Sequence, residues 1–139
     1  MAAESLQAKQ LENAQAFFSC LNAYNFHGMA DLLTADFTHE YFPSSLNPPE
    51  GKFKRNKDET VQLFKNAWEN VIEGMQFLPP LDIIQGQNAV VFHVKSDGTS
   101  KSGKRYNNEY MITLRFSGEK IAHMKEFVDT KYVAGFFGA

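Results

Sequence analysis

The stretch YNNEYMITLRFSGEKIAHMKEFVDT, Tyr106 to Thr130, limits the possible folds more than any other part of the chain. Its residues alternate on either side of a Ser-Gly pair at 117–118, as two strands joined by a tight turn do. On the first strand Tyr106, Asn108, Tyr110, Ile112, Leu114 and Phe116 share one face, and Asn107, Glu109, Met111, Thr113 and Arg115 the other. A period of two sustained this long excludes a helix. On the return strand Ala122, Met124, Glu126 and Val128 make an apolar face interrupted by one acid. Ile121, His123, Lys125, Phe127 and Asp129 make a mixed one.

Upstream the period is different. Leu6, Leu11, Ala14, Phe17, Phe18, Leu21 and Tyr24 recur at helical spacing, and Asn25 can cap a short second helix, FHGMADLLT, ending before Asp36. DFTHEYF then alternates, with Phe37, His39 and Tyr41 facing one way and Asp36, Thr38 and Glu40 the other. PSSLNPPEGKFKR has the composition of an exposed loop, its KFKR run (Lys52 to Arg55) solvated. Asn56 with Glu59 approximates a capping box and opens a third helix, whose stripe is Val61, Phe64, Trp68, Val71 and Ile72. GMQFLPPLDII is an extended segment interrupted by its prolines, NAVVFHVK is a strand, and SDGTSKSGK is a polar turn. Helices first and strands later give an α+β domain over residues 1–139, a curved antiparallel sheet with three helices on its concave face.

Composition narrows the function. The chain has 139 residues and net charge -2 with no block of Lys or Arg, so it carries no electrostatic footprint for nucleic acid. No run of about 18 apolar residues is present to cross a membrane, and the first residues lack the pattern of a secretory signal. The expectation is a soluble, cytoplasmic protein. Its single cysteine, Cys20, lies beside Phe17 and Leu21 on the helical stripe and reads as core rather than as a nucleophile. The four histidines have no ligand spacing, and there is no glycine-rich phosphate loop and no GxSxG, so neither metal nor cofactor is expected.

Candidate chemistry centres on Glu126. An ionised carboxylate buried alone costs several kcal/mol, so the group either takes a proton or finds a partner. If it faces the core it is placed for proton transfer; at the sheet end in water, or paired with a Lys or Arg, it is structural. His39, between Phe37 and Tyr41, is its natural counterpart if both face one cavity, and otherwise a core histidine. His93 is ambiguous, because Val90, Phe92 and Val94 make the better apolar face of its strand. Tyr24, Trp68 and Tyr110 carry polar tips that can orient a ligand or simply pack.

GKRYNNEYMITLRFSGEKIAHMKEFVDTKYV, Gly103 to Val133, resembles the C-terminal hairpin of SnoaL-like proteins. These belong to the nuclear-transport-factor-2-like superfamily, with ketosteroid isomerases and limonene-epoxide hydrolases. LLTADFTHEYF and GKFKRNKDETVQLFKNAWENV are similar to that fold's first strand and third helix, so the resemblance covers nearly the whole chain. It implies a sheet curved into a cone around a long helix, an apolar pocket at the open end, and a homodimer formed through the outer sheet face. It sets Glu126 where the epoxide hydrolases carry an inward catalytic aspartate, and His39 and Tyr41 where they carry water-positioning residues. His93 and Lys95 stand at their Arg-x-Asp positions, so that triad is incomplete, and the same alignment points His93 inward. Phenazine-biosynthesis and fungal isomerase relatives, with a glutamate and a histidine in the pocket, are more similar.

The expectation is therefore a cofactor-independent enzyme that isomerises, cyclises or dehydrates an apolar oxygenated metabolite of polyketide or terpenoid type. Glu126 would move the proton with His39 as partner, and Tyr41, Asn108 and Tyr110 would bind a developing oxyanion. Phe37, Trp68, Met124 and Val128 would form a dry wall. The alternatives are a binding protein that returns its ligand unchanged, and an interaction module whose pocket is filled by side chains.

Overall fold

The structure is a computed structural model describing residues 3–46 and 54–137; residues 47–53 of the expected loop lie outside them. The upstream helical spacing is realised as α1 (Ala3–Asn22), α2 (Phe26–Asp31) and α3 (Lys57–Asn66). Asn25 caps α2, and Asn56 with Glu59 forms the full capping box of α3. A wider π-type turn, Ala67–Val71, extends α3. The strands are β1 (Leu33–Phe42), β2 (Arg55–Asn56), β3 (Ile72–Phe77), β4 (Asp82–Gly86), β5 (Ala89–Ser100), β6 (Arg105–Tyr106), β7 (Glu109–Ser117) and β8 (Lys120–Val128). They form one curved, unclosed sheet in the order β2-β1-β8-β7-β5-β3, with β4 and β6 also on β5.

The α+β class follows the sequence reading, and the sheet is mixed, because β1 and β8 run parallel. Alternation sets which residues share a face but is indifferent to strand direction, and no tight turn joins these two strands to impose it. The second helix stops at Asp31, and the strand begins at Leu33 rather than Asp36, because Leu33 already pairs with Ile121. SDGTS, expected as a turn, is the second half of β5. It pairs with β3 and β6, whereas the first half pairs with β4 and β7. A short C-terminal helix, α4 (Thr130–Phe136), was not expected; Asp129 caps it, accepting from the Tyr132 amide at 3.1 Å.

The hairpin turns at Gly118, which adopts φ +60°, and its first strand, β7, buries Tyr110, Ile112, Leu114 and Phe116 as the alternation requires; Tyr106 and Asn108 are buried on the same side, but the strand expected from Tyr106 is interrupted at 107–108, because Tyr106 belongs to β6 and pairs with Gly98. The hairpin's second strand carries a bulge. Arg115 pairs with His123 but Phe116 with Ile121, so Ala122 is the extra residue. One inserted residue reverses the facing of everything before it. Ile121 is therefore buried on the same face as Met124, Glu126 and Val128, although simple alternation sets it opposite them.

The helical layer is tied to strand ends by side-chain amides. Gln10, fully buried on α1, donates to Asn88 Oδ1 at 2.9 Å and to the Gly118 carbonyl at 2.8 Å. Asn22 exchanges two hydrogen bonds with the backbone of Phe77, at 2.8 and 2.9 Å. At the bend of β5, Gly98 lets β3 approach closely: a Cβ there would lie 2.4 Å from Ile72 Cγ2 and 3.2 Å from the Met75 Cα. Gly98→Ala is expected to destabilise the protein by about 1–3 kcal/mol, the usual cost of overpacking, read as a lower denaturant midpoint.

Candidate functional site

Glu126 sits on β8 between Ile112 of β7 and Tyr41 of β1, its Cα partners. Central strands of a sheet covered on this face give it almost no water; the residue is 4% exposed. His39, two residues before Tyr41 and therefore on the same face, is fully buried and lies diagonally across from it. The imidazole Nε2 and the carboxylate Oε1 are 3.0 Å apart. The other imidazole nitrogen, Nδ1, has no hydrogen-bond partner among the described residues. The edges of Tyr41 and Phe64 pack against the ring, with centroids 4.8 and 5.8 Å away, and hold its plane.

Glu126 opens onto a cavity of about 280 Å³. Its wall is mainly apolar and aromatic, from Phe64, Trp68, Met75, Phe77 and Val128, with Val133 and Phe137 contributed by the C-terminal segment. His39 is not on this wall. It stands behind Glu126, so of the pair only the carboxyl borders the cavity. The polar remainder is phenolic. Tyr110 Oη lies 2.9 Å from Ser96 Oγ and donates to Tyr106 Oη at 3.4 Å, and Asn108 Nδ2 donates to Tyr106 Oη at 3.1 Å. Burial, followed by the nearby phenol of Tyr106 and carboxyl of Glu126, raises the Tyr110 phenol well above its usual value. Burial also raises the Tyr41 phenol well above its usual value, Glu126 adding to the rise and Arg55 opposing it. Both phenols therefore remain protonated donors throughout the neutral range.

Of the residues singled out from sequence, Glu126, Tyr41, Tyr110, Trp68 and Val128 line the cavity, and His39 bonds to one of them. Five others do not reach it. Phe37 and Met124 are fully buried in the core, and Asn108 is one residue removed, behind Tyr106. Tyr24 is partly exposed at the end of α1, where its hydroxyl accepts from the Met75 amide at 3.2 Å. His93 faces outward. Val90, Phe92 and Val94 take the inner face, as the periodicity indicates and against the alignment, and His93 meets Glu109 at 2.5 Å on the outer one. Sequence reasoning missed Tyr106 and Arg55 as wall residues. The first shares the alternation of Tyr110 and was visible in principle; the second was read as part of a solvated loop.

Among the described residues, no three His, Cys, Asp or Glu side chains gather as a metal site requires, and no helix is long and apolar enough to cross a membrane. No curated protein matches the chain. The profile of the SnoaL-like domain matches residues 14–124. Among solved structures, the chain is similar to the BvnE pinacolase of Penicillium brevicompactum, with 22% identity over 96% of this chain and 94% of that one, and a TM-score of 0.81. It is similar to PrhC of Penicillium brasilianum, with 16% identity, coverages of 96% and 88%, and a TM-score of 0.79. A putative isomerase of Bacillus subtilis shares 15% identity over 99% and 96%, with a TM-score of 0.78. At such identities the likeness speaks for the fold.

Proposed function

Because the chain belongs to the SnoaL-like domain family, we propose that it is a small enzyme that moves a proton on an apolar, oxygenated substrate held in this cavity. The observation that carries the proposal is the buried His39–Glu126 pair, 3.0 Å apart, with the carboxyl turned to an aromatic-lined space. A buried acid with one hydrogen-bond partner and one open side can take a proton from carbon or give one to oxygen. The phenols of Tyr41 and Tyr110 line the same cavity, and Tyr110, whose proton now goes to Tyr106 Oη, can turn it toward a developing oxyanion. The apolar wall excludes water, which strengthens each of these contacts. Isomerisation, cyclisation and dehydration all use this set of groups, and the pinacolase and isomerase neighbours are compatible with it.

The test is proton exchange at carbon. Bicyclic ketones and enones incubated with the protein in heavy water should take up deuterium next to the carbonyl, followed by mass spectrometry. Absence of enzyme-dependent uptake across such a panel would count against the proposal. A pocket filled with side chains would have favoured an interaction module; the open cavity does not.

We also propose a homodimer through the outer sheet face. Met111 and Phe127 are Cα partners there and are 42% and 49% exposed, a pairing of large apolar groups that water does not favour. Phe127→Glu should convert a dimer into a monomer by light scattering. A monomeric wild-type protein would dispose of the idea.

A further inference from the structure

Arg55 is the one cavity residue whose charge the preceding mechanism leaves unused. It belongs to β2, where its Cα pairs with that of His39, so in an antiparallel pair the two side chains share the inner face. Its guanidinium lies over the Tyr41 ring, 5.0 Å from Cζ to the centroid, and Arg55 lines the cavity with Glu126. Tyr41 stands between the two charges, its ring under Arg55 and its Cα paired with Glu126.

Two features separate Arg55 from an ordinary structural arginine. Among the described residues no carboxylate forms a salt bridge with it, whereas Arg105, on the surface, meets Asp97 at 2.8 Å. Its Nη1 is also buried without a hydrogen-bond partner among the described residues. Leaving a buried charged donor unsatisfied is unfavourable, more so than for a neutral one. The same wall holds a second buried donor without a partner among the described residues, Trp68 Nε1.

Arg55 is the one side chain on this mainly apolar wall with a fixed positive charge, and a positive charge behind low-dielectric walls selects for anions. Guanidinium groups suit planar oxygen pairs, which they bind through two parallel hydrogen bonds.

We propose that Arg55 anchors an anionic oxygen of the ligand, so that the cavity takes an apolar ring skeleton carrying one carboxylate or enolate. This deepens the reading of the cavity as a substrate site, but it does not depend on Glu126 moving a proton.

Calorimetric titration at low salt tests it with three probes: 2-naphthoate, the enolate of 2-phenylindane-1,3-dione, and the uncharged methyl 2-naphthoate. The wild-type protein should bind at least one anion more tightly than the ester. Arg55→Met should weaken that anion by about 10-fold or more, the weight of a charge-assisted hydrogen bond, and leave the ester unchanged. Retained ester binding shows that the variant's pocket is intact, and Arg55→Lys should recover part of the loss. Response of only the naphthoate, or only the enolate, identifies the oxygen source. The proposal is overturned if neither anion binds better than the ester, or if Arg55→Met keeps full anion affinity. Glu126→Gln should still prefer the anion, so loss of proton exchange in that variant and loss of anion preference at Arg55 are separate results.

Discussion

Replacing Glu126 with Gln is expected to lower the rate of deuterium uptake or turnover about 100-fold or more, the weight of one general acid–base group. The substitution keeps the shape of the side chain and can still hydrogen-bond to His39 Nε2, now 3.0 Å from the carboxylate. It removes only the ability to take up and release a proton. The fold should survive, with the melting temperature close to wild type, because a neutral amide is cheaper to bury than an ionised carboxylate. Ligand binding should also persist, since the wall from Phe64 to Phe77 is untouched. Full activity in this variant would remove Glu126 from the mechanism and leave the cavity as a binding site only.

His39→Ala should act on stability first. The imidazole is fully buried, and its loss leaves a carboxyl that is 4% exposed with that partner gone. Breaking a buried pair from one side typically costs about 3–5 kcal/mol, which for a domain of this size lowers the melting temperature on the order of 10 °C. Adding Glu126→Gln to His39→Ala removes the stranded charge, so the double variant should be more stable than His39→Ala alone. His39→Gln, which restores a donor, should recover part of both stability and rate. A loss under 1 kcal/mol for His39→Ala would mean that the 3.0 Å contact supports nothing. Because His39 stands behind Glu126 and off the cavity wall, the proposed mechanism gives it a positioning role. Its loss should therefore lower kcat with little change in KM.

The two faces of the hairpin were legible because alternation is local: each side chain of Tyr106 to Phe116 reports its own face through the pleat. The anomaly at Glu126 was legible for the same reason. The inward set of β8 was only half legible, since the bulge at Ala122 depends on how β7 and β8 register against each other. The parallel pairing of β1 with β8 was not legible either, because hydrophobic pattern carries no sign of strand direction. His93 shows local pattern outweighing remote alignment: Val90, Phe92 and Val94 compete for the inner face of its strand and win it by apolar burial.

By itself, then, the sequence determined the α+β class, the capped helices, the faces of the strands and the presence of an acid and a histidine on apolar faces. These follow from periodicity, capping chemistry and the cost of burying charge, all readable within a few residues. Only the tertiary structure decided that His39 and Glu126 meet, that Phe37 and Met124 lie behind the cavity wall, and that Arg55 turns into the cavity. Those are contacts between strands far apart in the chain. Their partners are chosen by register and sheet curvature, which no local pattern encodes.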